Sequence, residues 1–322
     1  MGIFKLLKMN RIITVFTVLL LAMSSTKAQE VIVTGGYKLS AVKDLPATSV
    51  KNQYRSGTCW SFSGLSFLES EILRIQNKEY DLADMWLVKK DYYERAKAYV
   101  RFQGKISFGS GAESNNVMDN IAKYGIVPES VFPGLNYGES NHVHGEFDAV
   151  LEAFVNGVLE NENRKLSTAW IKAYSNILDA YLGSDIEKFT YEGKEYTPSE
   201  FRDALNIVPD NYVELSSFTH HPYYKPFIFE VPDNWSFGHM YNIQLEELFQ
   251  QAISALDQGY TILWGSDVSE DGFSHRDGIA LIPEADIKEL SGSEKEKWEA
   301  MSEQERGAML YEFKDGSASC PG

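Results

Sequence analysis

The chain has 322 residues, 43% of them hydrophobic and 13% aromatic, which is enough apolar surface for a sizeable core and too much for a disordered chain. Its 30 Lys and Arg stand against 46 Asp and Glu, a formal net charge of −16. So acidic a chain lacks the basic surface that nucleic-acid phosphates or anionic lipid require.

The N-terminus has the order basic, apolar, small. Lys5, Lys8 and Arg11 precede an apolar run from Ile12 to Met23, and Ser24 to Ala28 follow. That order predicts a secretory signal over residues 1–28, with Thr26 and Ala28 at the −3 and −1 positions of the cleavage site. Cleavage takes the net charge to −20, leaves no integral membrane span, and places the protein outside the cytoplasm, in the periplasm, envelope or medium.

Residues 30–34 alternate as a short strand. From Cys59, the apolar residues Phe62, Leu65, Leu68, Ile72 and Ile75 recur at helical spacing, and a second helix is expected over Leu82–Tyr99. Gly109 to Gly111 break the chain. Val117, Met118, Ile121 and Tyr124 then mark a helix that Gly125 and Pro128 stop. Helices are expected over Val143–Val158 and Leu166–Leu182, then a YEGKEY hairpin and a short helix to Leu205. The aromatic stretch FTHHPYYKPFIFEVPDNW (218–235) is too apolar for a solvated linker and reads as part of an inserted subdomain. A helix over Gln244–Leu256 and buried strands at Tyr260–Trp264 and Gly278–Ile282 follow, with a further helix over 293–313. The fold class is α+β, with helices concentrated early.

Only two cysteines are present, Cys59 and Cys320, too far apart in the chain to read as a convincing staple. Cys59 falls where the glycine turn of VKNQYRSGTCWSFSG becomes a helix. The positive end of a helix dipole there favours a thiolate, and the Gln53 amide with the Cys59 backbone N–H would serve an oxyanion. On the residues alone, a nucleophile and a small buried core residue are both open readings.

Gln53, then Cys59-Trp60-Ser61-Phe62-Ser63, resembles the active-site signature of papain-like cysteine peptidases. Phe108-Gly109-Ser110-Gly111-Ala112 and Lys123-Tyr124-Gly125-Ile126-Val127-Pro128 are similar to the glycine-rich substrate segment and the helix after it. The spacing, and Ile262-Leu263-Trp264-Gly265-Ser266-Asp267-Val268, look most like the bleomycin hydrolase and aminopeptidase C branch, over roughly residues 45–285. The resemblance implies a papain-like two-lobe fold with a large insertion. It divides the chain into a helical lobe (29–139) bearing the nucleophile, a mostly helical insertion (140–240), and the start of a β lobe (241–322) that is incomplete. It implies Cys59 as nucleophile and Gln53 as oxyanion donor, with Gly57, Trp60, Ser110 and Gly111 binding an extended peptide. Ser56 stands where many secreted members have a cysteine, and Ala112 replaces a second glycine.

The family also uses a His base and an Asn in an Asn-Ser-Trp-Gly motif, which this sequence does not contain. We therefore expect a C-terminally truncated chain of low activity, with His275 as the one candidate base. His142, His144, His220 and His221 lack metal-site spacing and read as surface histidines. No metal and no cofactor is expected, the partner is a peptide substrate, and nothing sets an oligomeric state. The alternative reading is a non-catalytic peptide-binding envelope protein derived from the same fold.

Overall fold

The computed structural model describes residues 31–280 apart from 35–36, 163–164, 267, 269–272 and 277. The expected signal segment and the helix expected over 293–313 lie outside the described residues. Two compact units are present: one holds the residues up to Asp44 with Ser274–Ala280, the other runs from Leu45 to Phe273. The first contains an antiparallel pair, β1 (Val31–Thr34) and β2 (Tyr37–Ser40), in which Val31 faces Ser40.

The second unit opens with α1 (Cys59–Gln76) and α2 (Asp84–Arg101), both 18 residues long. In α1 the spacing of Leu65, Leu68 and Ile72 turns one stripe inward, and all three are buried. Asn77 ends the helix in the left-handed region (φ 51°), its N–H donating to the Leu73 carbonyl at 2.8 Å. The start of α2 is two residues later than its sequence pattern suggests. α3 (Ser114–Tyr124), α4 (Gly145–Leu159) and α5 (Trp170–Leu182) follow. α2 is the central element, packing against α1, α3, α4 and α5. Gly125 ends α3 at φ 67°, and a Cβ there would lie 2.4 Å from the Pro198 carbonyl oxygen, so glycine is required twice over.

The YEGKEY turn forms the hairpin β3 (Phe189–Tyr191) and β4 (Lys194–Tyr196). It leads into α6 (Pro198–Ala204), which starts with a capping box: the Glu200 N–H donates to Thr197 Oγ1, and the Thr197 N–H donates to Glu200 Oε2. The segment beyond 215 is sheet. β5 (Leu215–Ser216) runs parallel to β7 (His239–Asn242), and β6 (Lys225–Ile228) pairs with β7 antiparallel. Pro222, Pro226 and Pro232 deny this stretch the N–H groups a helix needs, and its aromatics suit a strand surface.

α7 (Leu245–Asp257) is the last helix among the described residues. Tyr260–Trp264, expected as a buried strand, joins no sheet among the described residues: the Tyr260 N–H donates to the Ala255 carbonyl at 3.0 Å, and Trp264 is 70% exposed. Apolar content alone marks a strand only when a neighbour takes up its N–H and C=O groups. β8 (Phe273–Ser274) and β9 (Ile279–Ala280) form a two-stranded sheet, and the rest of the strand expected over Gly278–Ile282 lies outside the described residues. Among the described residues, no helix is long and apolar enough to cross a membrane.

Candidate active site

Cys59 is the first residue of α1 and is exposed. That rules out the small-core-residue reading. The turn that delivers it is tightly specified. Tyr54 and Gly57 both have positive φ (52° and 66°), while Ser56 and Thr58 are buried and share a hydrogen bond of 2.5 Å between their hydroxyls. The first turn of α1 closes with the Ser61 N–H donating to the Thr58 carbonyl at 3.1 Å. The Cys59 N–H has no backbone acceptor among the described residues, as a helix N-terminus leaves it.

Gln53 is half-buried, and its amide makes no hydrogen bond among the described residues. Its segment is held by a short parallel bridge: the Arg55 N–H donates to the His142 carbonyl at 2.9 Å, and the His144 N–H donates to the Arg55 carbonyl at 3.1 Å. His142 and His144 are buried, at 8% and 0% exposure, which corrects their reading as surface histidines. Burial lowers both pKa values; that of His144, with the neighbouring His142 adding to the effect, falls to about 4.

The glycine-rich strip is brought to the Cys59 turn. Trp60 Nε1 donates to the Ser110 carbonyl at 3.0 Å, and a Cβ on Gly57 would meet Ser110 Oγ at 2.4 Å. So Gly57, Trp60 and Ser110 form one contact. The carbonyls on either side of Ser110 are taken by a residue the sequence did not single out. Arg95 of α2 is fully buried and donates through Nη1 to Gly109 O at 2.6 Å and through Nη2 to Gly111 O. Asp91 balances it: Arg95 Nη2 lies 3.1 Å from Asp91 Oδ2, and Asn116 Nδ2 donates to Asp91 Oδ1 at 2.8 Å. Burial pushes the Asp91 carboxyl up, against the pull of Arg95. The i, i+4 spacing of Asp91 and Arg95 was visible, but on its own it reads as a surface pair.

With three successive carbonyls held from beneath, the N–H groups of the strip have no backbone partner among the described residues. Gly111 is not open, however. Its absent Cβ would fall 2.4 Å from Asp233 Oδ2, so the loop after β6 lays a carboxylate on the strip. That loop is fastened by Asn115 Nδ2 donating to Ser236 Oγ at 2.9 Å. Burial, with Asp233 and Glu214 nearby, pushes the Glu113 carboxyl up to about 7. The site end of the strip is therefore acidic.

His275 belongs to the other unit. It sits in the exposed turn between β8 and β9, its carbonyl accepting from the Gly278 N–H at 3.3 Å. Among the described residues no hydrogen bond joins Cys59 Sγ to a histidine. Among the described residues, those around Cys59 include no set of metal ligands.

No family model matches the chain. It is similar to aminopeptidases C and G and to bleomycin hydrolases. It is 26% identical to aminopeptidase C of Lactobacillus delbrueckii subsp. lactis over 273 residues, covering 71% of this chain and 60% of the relative. It is 23% identical to bleomycin hydrolase of Gallus gallus over 271 residues, covering 70% and 60%. The fold is similar to the crystal structure of PepW from Lactobacillus rhamnosis HN001, with a TM-score of 0.54 and 20% identity over 68% of this chain and 58% of that one. The architecture is thus the α+β papain-like one. The chain spans about 60% of the length of the relatives it matches.

Proposed function

We propose that the chain acts on peptides as a cysteine-type aminopeptidase, with Cys59 attacking the scissile carbonyl. The observation that carries this is the exposed thiol on the first residue of α1, with the Trp60-to-Ser110 bond holding a peptide-binding strip beside it. The thiolate forms a C–S bond to the carbonyl carbon, and the backbone N–H of Cys59 and the Gln53 amide take the developing oxyanion. Collapse breaks the C–N bond and expels the amine, which takes its proton from solvent water, and a second water then hydrolyses the thioester to the acid and the free thiol. The unpaired N–H groups of the strip suit an extended chain added like a strand. The Asp233 carboxylate over Gly111 suits a free, positively charged amino terminus, which favours cleavage from that end.

His275 is the base candidate the sequence offers. No histidine is hydrogen-bonded to Cys59 Sγ among the described residues, and on that ground we propose that the chain turns over slowly, because loss of a base costs a thiol or hydroxyl nucleophile several orders of magnitude. A second reading, a peptide-binding envelope protein without catalysis, is favoured by the lack of a histidine partner on Cys59 Sγ among the described residues. The basic–apolar–small order of residues 1–28 supports export in either case.

Fluorogenic aminoacyl and peptidyl substrates, assayed on the purified chain beside Cys59→Ala and His275→Ala, decide among these. Slow turnover abolished by Cys59→Ala supports the peptidase. A further loss in His275→Ala assigns that residue as base. Peptide binding with turnover indifferent to Cys59→Ala leaves the binding protein standing.

A further inference from the structure

The aromatic stretch 218–235 has a feature that the peptidase reading does not use. β6 folds Glu230 back against His220 and His221, ten and nine residues earlier, so that one ligand-type atom from each of the three lies within 4.8 Å of the others. We propose that His220, His221 and Glu230 form a site for a divalent transition metal of the zinc class.

The distances are the main argument. Tetrahedral zinc with bonds of about 2.0–2.1 Å sets its ligand atoms roughly 3.3 Å apart. His221 Nε2 lies 3.4 Å from Glu230 Oε2, and His220 Nε2 lies 3.8 Å from the same oxygen. Both are too long for strong hydrogen bonds and near the separation that a shared ion produces. Moreover, His221 Nε2 is shut off from solvent without a hydrogen-bond partner among the described residues. A nitrogen lone pair kept dry and unused forfeits its hydration unless something accepts it, and a metal does.

The ligands are held in advance. Asn242 of β7, fully buried, donates through Nδ2 to the carbonyls of Phe218 and His221, both at 2.9 Å, and accepts the Phe218 N–H at 2.7 Å. One side chain therefore fixes both ends of the loop that carries the histidines. The His221 ring stacks on Phe227 of β6, centroids 4.3 Å apart and planes at 25°, and Phe218 packs edge-on to His220. On the far side, Asn234 Nδ2 donates to Phe229 O at 2.8 Å and to Gly238 O at 2.9 Å, which sets the chain direction at Glu230. Two imidazoles and one carboxylate match the zinc and first-row transition-metal preference over calcium or magnesium, which take oxygen ligands. The fourth position faces solvent, since Glu230 is 69% exposed and His220 41%. The adjacent histidines gave no signal in the sequence because the third ligand arrives through a hairpin.

The test is zinc titration of the full chain in a Cys59→Ala background, purified without a histidine tag, with a chromophoric chelator competing for the metal. Cobalt in place of zinc reports coordination through its visible absorption. Single His221→Ala and Glu230→Gln changes are compared, with circular dichroism confirming that each folds. Binding of one zinc per chain, lost in His221→Ala and weakened tenfold or more in Glu230→Gln, with a tetrahedral cobalt spectrum, is the expected result. No zinc bound at micromolar concentration, or binding that both substitutions leave unchanged, overturns the site and leaves a simple histidine–carboxylate contact. Glu230→Gln is exposed and nearly isosteric, so it keeps the question open to refutation if His221→Ala does not fold.

Discussion

The Arg95 guanidinium donates to the Gly109 carbonyl at 2.6 Å from a side chain with no solvent exposure, so the central helix sets the shape of the strip beside Cys59. Arg95 also pairs with Asp91, and removing one member of a buried pair strands the other charge. Arg95→Met is expected to lose about 3–5 kcal/mol of stability by urea denaturation. Asp91→Asn with Arg95→Met is expected to recover part of that loss, because no charge is left buried alone. Equal losses in the single and double variants would show that the carbonyl contacts dominate over the ion pair.

Gly57 has φ 66°, and a Cβ there would lie 2.4 Å from Ser110 Oγ and 3.2 Å from Ser110 Cβ. Gly57→Ala thus meets two separable costs. The left-handed backbone costs about 1–2 kcal/mol for a residue with a Cβ. The contact adds to it until Ser110 moves. Ser110→Ala placed with Gly57→Ala is expected to restore the contact part and leave the backbone part, a coupling read by a double-mutant cycle. Strict additivity of the two changes would remove the contact from the account.

His144 is fully buried with both ring nitrogens unpartnered among the described residues, and its folded pKa is about 4 against an ordinary 6.5. Between those values the unfolded chain binds a proton that the folded chain does not. Stability from this group is therefore full above pH 6.5 and is lost as pH falls toward 4, by up to about 3 kcal/mol. Asp84, Glu113 and Glu129, each pushed up to about 7 chiefly by burial, slope the other way, losing stability as pH rises to 7. The difference between the wild type and His144→Phe cancels those slopes. It is expected to show the variant gaining relative stability by roughly 1.4 kcal/mol per pH unit below 6.5. A difference independent of pH would mean that His144 is already charged in the fold.

Most of the helical lobe was legible because its signals are local. Leu65, Leu68 and Ile72 mark α1 by spacing, Gly125 and Pro128 stop α3, and Thr197 with Glu200 caps α6. Cys59 was legible for the same reason, as a turn and a helix start in one short stretch. What escaped needed contacts distant in the chain. Arg95 acquires its role from carbonyls 14 and 16 residues away, and Asp233 reaches Gly111 from the far end of the aromatic stretch. Glu230 joins the two histidines only once β6 has paired with β7. Tyr260–Trp264 failed in the opposite direction: its composition suits a strand, but pairing is not a property of the segment itself.

The Asp233 carboxylate on Gly111 gives the aminopeptidase proposal its sharpest consequence. A negative charge at the strip attracts a protonated α-amino group, gives a neutral blocked end no such attraction, and the nearby Glu113, at about 7, adds charge as pH rises. Asp233→Asn removes the charge with little change of shape. It is expected to weaken binding of a peptide with a free amino terminus about tenfold, close to the 1–2 kcal/mol of one partly exposed charge-assisted bond. The same peptide with an acetylated terminus should bind the two proteins alike. Calorimetry or fluorescence anisotropy with Cys59→Ala as the parent separates binding from turnover. An equal loss for both peptides would assign Asp233 to shaping the strip. An unchanged affinity for both would place the amino terminus elsewhere and remove the argument for cleavage from that end.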